Sequence, residues 1–229
     1  MTGGLSNARL ASAAELVRQN AIFADIGTDH AYLPLFLLES GRISFAYCSD
    51  INEGPLASAR KNAEERGMVD KMDFILTDGA TVLRDRGITD YAICGMGGEL
   101  IAEIIERAPH LRDSDVRLIL QPMTKQEKLR EYLLSSGFEI ISESYSFDAG
   151  KYYVCILAEF TGKSREISTL ESIVGCSDTV FFGNECRLKY LDAKLKSCER
   201  ALNGKCEAGI DNDEDRALVL SIKQYIDSL

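Results

Sequence analysis

The chain has 229 residues, with 26 Lys and Arg against 36 Asp and Glu, a formal net charge of −10 and 45% hydrophobic residues. That length suits one large domain, or an ordinary domain with a modest appendage, and the apolar content excludes intrinsic disorder. No run approaches the ~18 consecutive apolar residues of a membrane span, and the stretch from Met1 to Leu16 lacks the basic-then-apolar layout of a secretion signal.

A cytoplasmic address is therefore expected, with no membrane partner. Seven cysteines, at 48, 94, 155, 176, 186, 198 and 206, form no Cys-x-x-Cys pair, and the histidines are two, His30 and His110. Neither a disulfide framework nor a metal site is expected, and the cysteines read as reduced small hydrophobes. Taken whole, the acidic balance argues against a nucleic-acid partner, because phosphate neutralisation needs Lys and Arg.

In chain order, residues 5–17 carry Leu10, Ala13, Ala14 and Val17 at helical spacing. Residues 20–25 form a short apolar run that ends in Asp25-Ile-Gly27, a strand and a tight turn. Residues 32–40 read as a helix stopped by Gly41, 45–49 as a second strand ending at Asp50, and 55–66 as a helix stopped by Gly67. A third strand, 72–76, ends at Thr77-Asp-Gly79. A fourth, 91–94, ends at Gly95-Met-Gly-Gly98 and leads into a helix over 99–107. A fifth, 117–120, ends at Gln121-Pro-Met123 and leads into a helix over 125–136. Residues 138–145 and 152–160 follow without a helix between them, as an antiparallel hairpin.

Alternation of this kind requires an α/β fold with a mostly parallel sheet and helices on both faces. Beyond Thr161 the texture changes. Leu188, Leu191, Leu195, Cys198 and Leu202 form one narrow apolar seam, and Val219, Ile222, Ile226 and Leu229 a second, across a polar connection at 203–215. These predict an antiparallel helical hairpin that packs on the main domain or on residues 167–174. The expected division is residues 1–161 and 162–229.

In parallel sheets, ligands sit beyond the C-terminal strand ends, at the switch point of strand order. Asp25, Gly27, Asp50, Asp78, Gly79, Gly95 to Gly98 and Gln121 all fall there. Gly27 lets a ligand approach the backbone, Asp50 stands where a carboxylate takes ribose hydroxyls, and Asp78 can accept from an adenine amino group. A nicotinamide dinucleotide needs G-x-G-x-x-G, but the second glycine position is Asp29. An acidic loop repels a diphosphate and suits a cationic, phosphate-free cofactor, S-adenosylmethionine. An NAD-dependent oxidoreductase is thus disfavoured. The residues alone lead no further than an S-adenosylmethionine-dependent methyltransferase, with a small-molecule acceptor as one alternative. A catalytically silent binding module is disfavoured by the intact carboxylates.

The stretches Ala24-Asp-Ile-Gly-Thr-Asp-His-Ala-Tyr-Leu-Pro34, Ser49-Asp-Ile-Asn-Glu-Gly-Pro55, Asp78-Gly79, Gly95-Met-Gly-Gly98, Leu118-Ile-Leu-Gln-Pro122 and Lys151-Tyr-Tyr153 together resemble the TrmK family of bacterial tRNA (adenine-22-N1)-methyltransferases. The resemblance runs over essentially the whole chain. It implies a Rossmann-like class I methyltransferase sheet with a C-terminal coiled-coil-like domain, S-adenosylmethionine as cofactor and N1 of an adenine in tRNA as acceptor. The expected cofactor contacts are Asp25, Gly27, Asp29, His30, Asp50, Ile51, Asp78, Gly79 and Gly95. The expected substrate contacts are Arg9, Tyr32, Met96, Gly97, Gly98 and Gln121. Asp29 is the candidate catalytic group, placed to take a proton or stabilise the cationic product. For Tyr32, a core position in its helix is the alternative. The fourth strand end lacks the Asn/Asp-Pro-Pro-aromatic motif of exocyclic-amine methyltransferases.

Resolved by region, the charge leaves room for a nucleic-acid partner. Residues 187–205 hold six basic side chains (Arg187, Lys189, Lys194, Lys196, Arg200, Lys205) and two acidic ones (Asp192, Glu199). Lys189, Lys194, Lys196 and Arg200 are the candidate phosphate stripe, with a solvated helix face as the alternative. A monomer is expected.

Overall fold

The computed structural model describes residues 7–176, 179–210 and 213–229. The start of the first expected helix and part of the polar connection at 203–215 lie outside them.

Helix α1 (Ala8–Leu16) begins where the Asn7 side chain accepts from the Leu10 N–H. Strand β1 (Ala21–Ile26), helix α2 (Tyr32–Glu39), β2 (Ile43–Asp50), α3 (Glu53–Glu65) and β3 (Met72–Leu76) complete one half of the sheet. The other half contains β4 (Asp90–Gly97), α4 (Gly98–Arg107), β5 (Arg117–Thr124), α5 (Gln126–Ser135), β6 (Phe138–Asp148) and β7 (Lys151–Phe160). With a short last strand, β8 (Val180–Phe182), the strand order is β3-β2-β1-β4-β5-β7-β6-β8. The first five strands run parallel, and β7 is antiparallel to both β5 and β6. Order reverses between β1 and β4, so the switch point lies where β1 and β4 end.

Period-2 alternation sends the strand side chains to two cores. Phe23, Ala46 and Ile119 meet α1, α2 and α3 through Ala13, Val17, Leu35, Leu37 and Ala59. Ile26, Ile93, Leu118 and Ile156 meet the other face through Ile101, Ile105, Leu129 and Leu133.

The segment beyond Thr161 joins the second core. Helix α6 (Thr169–Val174) leads to β8 (Val180–Phe182), a strand the sequence pattern does not announce. β8 pairs in parallel with β6 through Ser142↔Val180, Glu143↔Phe181 and Ser144↔Phe182. Helix α7 (Asn184–Glu207) then packs on β6 and β7, and helix α8 (Asp213–Asp227) packs on α7 and α6. Their shared core residues are Tyr190, Leu191 and Ile222, with Leu195, Cys198, Leu218 and Ile226 partly buried against them. Leu188, the first residue of the expected seam, is 39% exposed. The connection is shorter than expected, because α7 continues to Glu207.

One buried ion pair ties these layers together. Arg130 of α5 and Glu143 of β6 are both fully buried. The guanidinium Nε and Nη2 donate to the two Glu143 carboxylate oxygens at 2.6 and 3.1 Å, and Nη1 donates to the Ser172 carbonyl of α6 at 2.8 Å. The Tyr145 hydroxyl donates to Glu143 Oε2 at 2.5 Å. Removing one partner strands the other charge in the core. Glu143→Ala is expected to cost about 3–5 kcal/mol, read by urea unfolding. Arg130→Met combined with Glu143→Leu is expected to recover most of that loss.

Candidate active site

The turn after β1 is held in a conformation that L-residues resist. Gly27 has φ +74°, and two successive non-glycine residues, His30 and Ala31, sit at φ +60° and +53° in the left-handed region. The Gly27 and Thr28 N–H groups both donate to the Ser49 carbonyl at 2.8 Å, and Asn62 Nδ2 donates to the His30 carbonyl at 2.9 Å. Neighbouring elements therefore over-determine the strained loop, a pattern that concentrates at functional sites. Asp29 projects into solvent with 77% of its side chain exposed, and its Oδ1 lies 3.3 Å from His30 Nε2. The His30 ring stacks on Tyr32, with centroids 5.3 Å apart and planes at 22°. Tyr32 is 45% exposed, so the core alternative for it does not hold.

Asp25 lies beneath this turn, 7% exposed, and accepts from the Thr28 hydroxyl at 2.5 Å. Burial pushes its carboxyl from 3.8 up to about 6; the Thr28 hydroxyl opposes that rise, the Asp50 charge adds to it and Arg9 opposes it. At the end of β2, Asp50 Oδ1 accepts the Asn52 N–H at 2.7 Å, and Ile51 beside it is 64% exposed. An apolar wall and a carboxylate at the strand tip suit a nucleoside.

Asp78 differs from expectation. Both of its oxygens are held by Arg107 of α4, at 2.7 and 3.2 Å, so the carboxylate offered to an adenine amino group already has a cationic partner. That pairing holds its pKa below the usual carboxylate range. Gly79 follows with φ +76°.

Opposite, the turns after β4 and β5 interlock. A Cβ on Gly98 would stand 2.3 Å from the Lys125 carbonyl oxygen, and one on Gly97 would stand 3.3 Å from Thr124 Oγ1. Gly98 therefore permits a contact that no other residue allows. Gln121, fully buried, accepts from Arg9 Nη1 at 2.5 Å and from the Gly95 N–H at 3.2 Å. Arg9 thus reaches the switch point from α1. Met96 reaches across to β1, its Cε occupying the space a Gly27 side chain would need. The structure accordingly gathers Arg9, Asp25, Gly27, Gly95, Met96 and Gln121 into one cluster, with Asp29, His30 and Tyr32 on the turn above it.

The basic stripe on α7 is thinner than its sequence suggests. Arg187 is buried, its guanidinium 3.6 Å over the Phe181 ring and donating to the Tyr225 hydroxyl at 2.7 Å. Lys194 donates to Gln126 Oε1 at 2.7 Å and to Glu127 Oε2 at 3.2 Å. Lys205 pairs with Asp215 at 2.6 Å. Lys194 is therefore a tie between α7 and α5 rather than a free cation. Lys189, Lys196 and Arg200 remain exposed, and their spacing of seven and four residues puts them on one helical face.

Two contributors escape the sequence reading. Thr28 is visible only as a hydroxyl three residues after Asp25. Lys125, exposed and left-handed at φ +57°, carries no glycine to advertise its turn. Among the described residues, no cluster of three or more His, Cys, Asp or Glu is arranged to hold a metal, and no helix is long and apolar enough to cross a membrane.

Comparison with known proteins agrees with this geometry. Residues 6–156 match the family model described as a methyltransferase domain. The Bacillus subtilis tRNA (adenine(22)-N(1))-methyltransferase is 35% identical over 151 residues, a match that spans 66% of this chain and 63% of that protein. A Streptococcus pneumoniae structure, described as a putative tRNA (m1A22) methyltransferase in complex with S-adenosyl-L-methionine, is 32% identical with a TM-score of 0.81, covering 95% of this chain and 98% of that one. Mycoplasma capricolum TrmK, solved with S-adenosyl-homocysteine, is 29% identical with a TM-score of 0.78, covering 96% of each chain.

The Asp25 environment fixes the sign of a pH effect. Its folded carboxyl holds a proton up to about pH 6 while the unfolded chain releases it near 3.8, so the folded protein loses stability as pH rises across that window. Asp25→Asn removes the loss. It is expected to flatten the slope between pH 4 and 6, and at pH 7 to raise stability by about 2–3 kcal/mol, measured by urea unfolding of the free protein.

Proposed function

The chain belongs to the tRNA (adenine(22)-N1)-methyltransferase family, and from that premise we propose that it methylates N1 of adenine 22 in tRNA, as a monomer in the cytoplasm. The observation that carries this reading is the pairing of two unlike walls at the switch point. Asp25, Gly27 and Asp50 form an acidic, glycine-lined wall. Arg9, Gln121 and the glycines of 95–98 form a close-packed one opposite.

The acidic wall fits S-adenosylmethionine. Gly27, at φ +74°, brings no side chain to the turn, the Gly27 and Thr28 N–H groups are already given to the Ser49 carbonyl and so do not wait for a diphosphate, and Asp50 keeps one oxygen clear of the Asn52 bond. When bound, the cofactor supplies an electrophilic methyl group on a sulfonium centre. Ile51 offers an apolar surface for its adenine, and Asp50 offers a carboxylate to its ribose. Asp25 contributes negative charge beneath the sulfonium, and a cation there favours the ionised form of Asp25. Asp78 is the weakest of the carboxylate candidates, since it takes up a nucleoside only by sharing or leaving Arg107.

Adenine N1 already carries a lone pair, so the protein's task is alignment and charge compensation. The rigid glycine turn of 95–98, braced by Gln121 and Lys125, forms the floor for the base. Tyr32, stacked on His30, offers a solvent-facing aromatic ring. Methylation leaves the base cationic. Asp29, exposed at the rim, faces that charge, and the exocyclic amine releases its proton to Asp29 or to His30 beside it. The exposed α7 face of Lys189, Lys196 and Arg200 supplies phosphate contacts.

Incubation of unmodified tRNA transcript with S-adenosylmethionine, followed by mapping of the modified base, tests the activity; 1-methyladenosine at position 22 is expected. Asp29→Asn is expected to lower kcat by about 10²-fold or more with cofactor affinity retained, in single-turnover assays beside a binding titration. A variant with full turnover and weakened cofactor binding would remove Asp29 from the chemistry. Charge reversal at Lys189, Lys196 and Arg200 is expected to weaken tRNA binding and lower its salt slope by roughly three. A gel-shift series in rising salt reads both quantities.

A further inference from the structure

The β5–β7 ladder stops before either strand does. Its last pair is Leu120↔Ile156, yet β5 runs on to Thr124 and β7 has already begun at Lys151. Beyond that pair the strands part. β5 stays with β4, through Met96↔Pro122 and Gly97↔Thr124, while β7 stays with β6 out to Asp148↔Lys151. The two strands therefore separate at the ligand edge, with the glycine turn and Lys125 at the end of one pair and the β6–β7 hairpin tip at the end of the other.

The tip of that hairpin is closed by a tight turn and carries aromatic surface. Its loop is Ala149-Gly150, both at positive φ (+45° and +80°), the two-residue turn that matches strand twist. Phe147 and Tyr152 face one another across the ladder, with ring centroids 4.7 Å apart. Phe147 is 49% exposed although its strand is buried for most of its length. Lys151 stands next to Tyr152, exposed and without an ion pair among the described residues, although Asp148 lies across from it. By alternation Tyr152 shares a face with Val154, Ile156 and Ala158, the face covered by α5 and α7. Lys194 of α7 reaches the first turn of α5, next to Lys125. The aromatic pair thus lies on the side of the sheet that bears the free cations.

Methylation at N1 requires the adenine to leave any Watson–Crick pair, because N1 is the pairing acceptor, and its neighbours then lose a stacking partner. Three strand spacings of ~4.8 Å separate β4 from β6 where the sheet is paired, and β5 and β7 part beyond Leu120↔Ile156, so the platform stands at least roughly 15 Å from the glycine turn, a span of a few nucleotides. We propose that Phe147 and Tyr152, with Lys151 beside them, form a stacking platform for an unpaired nucleotide of the RNA a few positions from the methylated adenosine. This assignment rests on the tRNA methyltransferase reading above. Aromatic rings tolerate any base, so the platform adds affinity without sequence preference, and Lys151 meets the adjoining phosphate.

The test uses the full chain and unmodified tRNA transcript. Phe147→Ala is expected to raise KM for tRNA about five- to fiftyfold, with kcat at saturating tRNA and affinity for S-adenosylmethionine unchanged. Phe147→Tyr is expected to restore KM, because it keeps the ring, and Lys151→Gln is expected to lower the salt slope of tRNA binding by about one. Thermal unfolding of each variant separates a folding defect from a binding one, and Phe147→Leu, which keeps apolar bulk without the ring and is expected to raise KM as Phe147→Ala does, carries the decision if Phe147→Ala is unstable. A folded Phe147→Ala with wild-type KM would overturn the platform. So would an unchanged KM accompanied by a shift in oligomeric state, which would assign the pair to contact between copies. A wild-type chain that transfers no methyl group to tRNA would instead overturn the reading on which the platform rests.

Discussion

The Arg130–Glu143 pair is the interaction on which the arrangement of this molecule depends. Two opposite charges in a dry interior are tolerated only when every donor and acceptor is met, and here the partners come from α5, β6 and α6. α6 is thereby fixed against the sheet, and β8 follows it onto the edge of β6. α7 starts where a Cβ on Gly183 would stand 2.4 Å from the Tyr145 carbonyl oxygen, so its launch point is fixed as well. The direction of the helix that carries Lys189, Lys196 and Arg200 is therefore set by a salt bridge that itself touches no ligand.

A second organising feature is the separation of charge along one sheet edge. β1 and β2 end in carboxylates, and the side built on α1, β5 and α7 presents Arg9, Lys125 and the α7 lysines. The net charge of −10 averages over these halves and describes neither. A cationic cofactor and a polyanionic substrate can share one edge only if their fields are kept apart. The junction is Arg9, close enough to Asp25 to pull its pKa down while hydrogen-bonded to Gln121 under the glycine turn.

The parallel sheet was legible because strand and helix patterns alternate and each strand ends in Asp, Gly or Gln. The acidic wall followed from the same endings. What the sequence hid depends on long-range contacts. Asp78 meets Arg107 across 29 residues, and no local pattern announces the pair. Arg187 counts as a surface cation by spacing, yet Phe181 and Tyr225 enclose it. Val180–Phe182 is too short for a period-2 signal and becomes a strand only because β6 offers an edge. Lys125 occupies a left-handed turn without glycine, so turn chemistry does not mark it. Leu188, Leu191 and Leu195 do lie on α7, but the buried member of that seam packs into the core shared with the sheet.

β8 also imposes an order of events on synthesis. Parallel strands cannot pair through a tight turn, so β6 must wait for α6 to cross over before its outer edge closes. As the chain leaves the ribosome, strands β1 to β7 are complete by Phe160 while the 11-residue strand β6 still presents open N–H and C=O groups on its outer edge. Three residues, Val180 to Phe182, end that interval. The C-terminal segment is thus a guard of the nascent protein, and a chain cut near residue 161 would expose a ready template for aggregation.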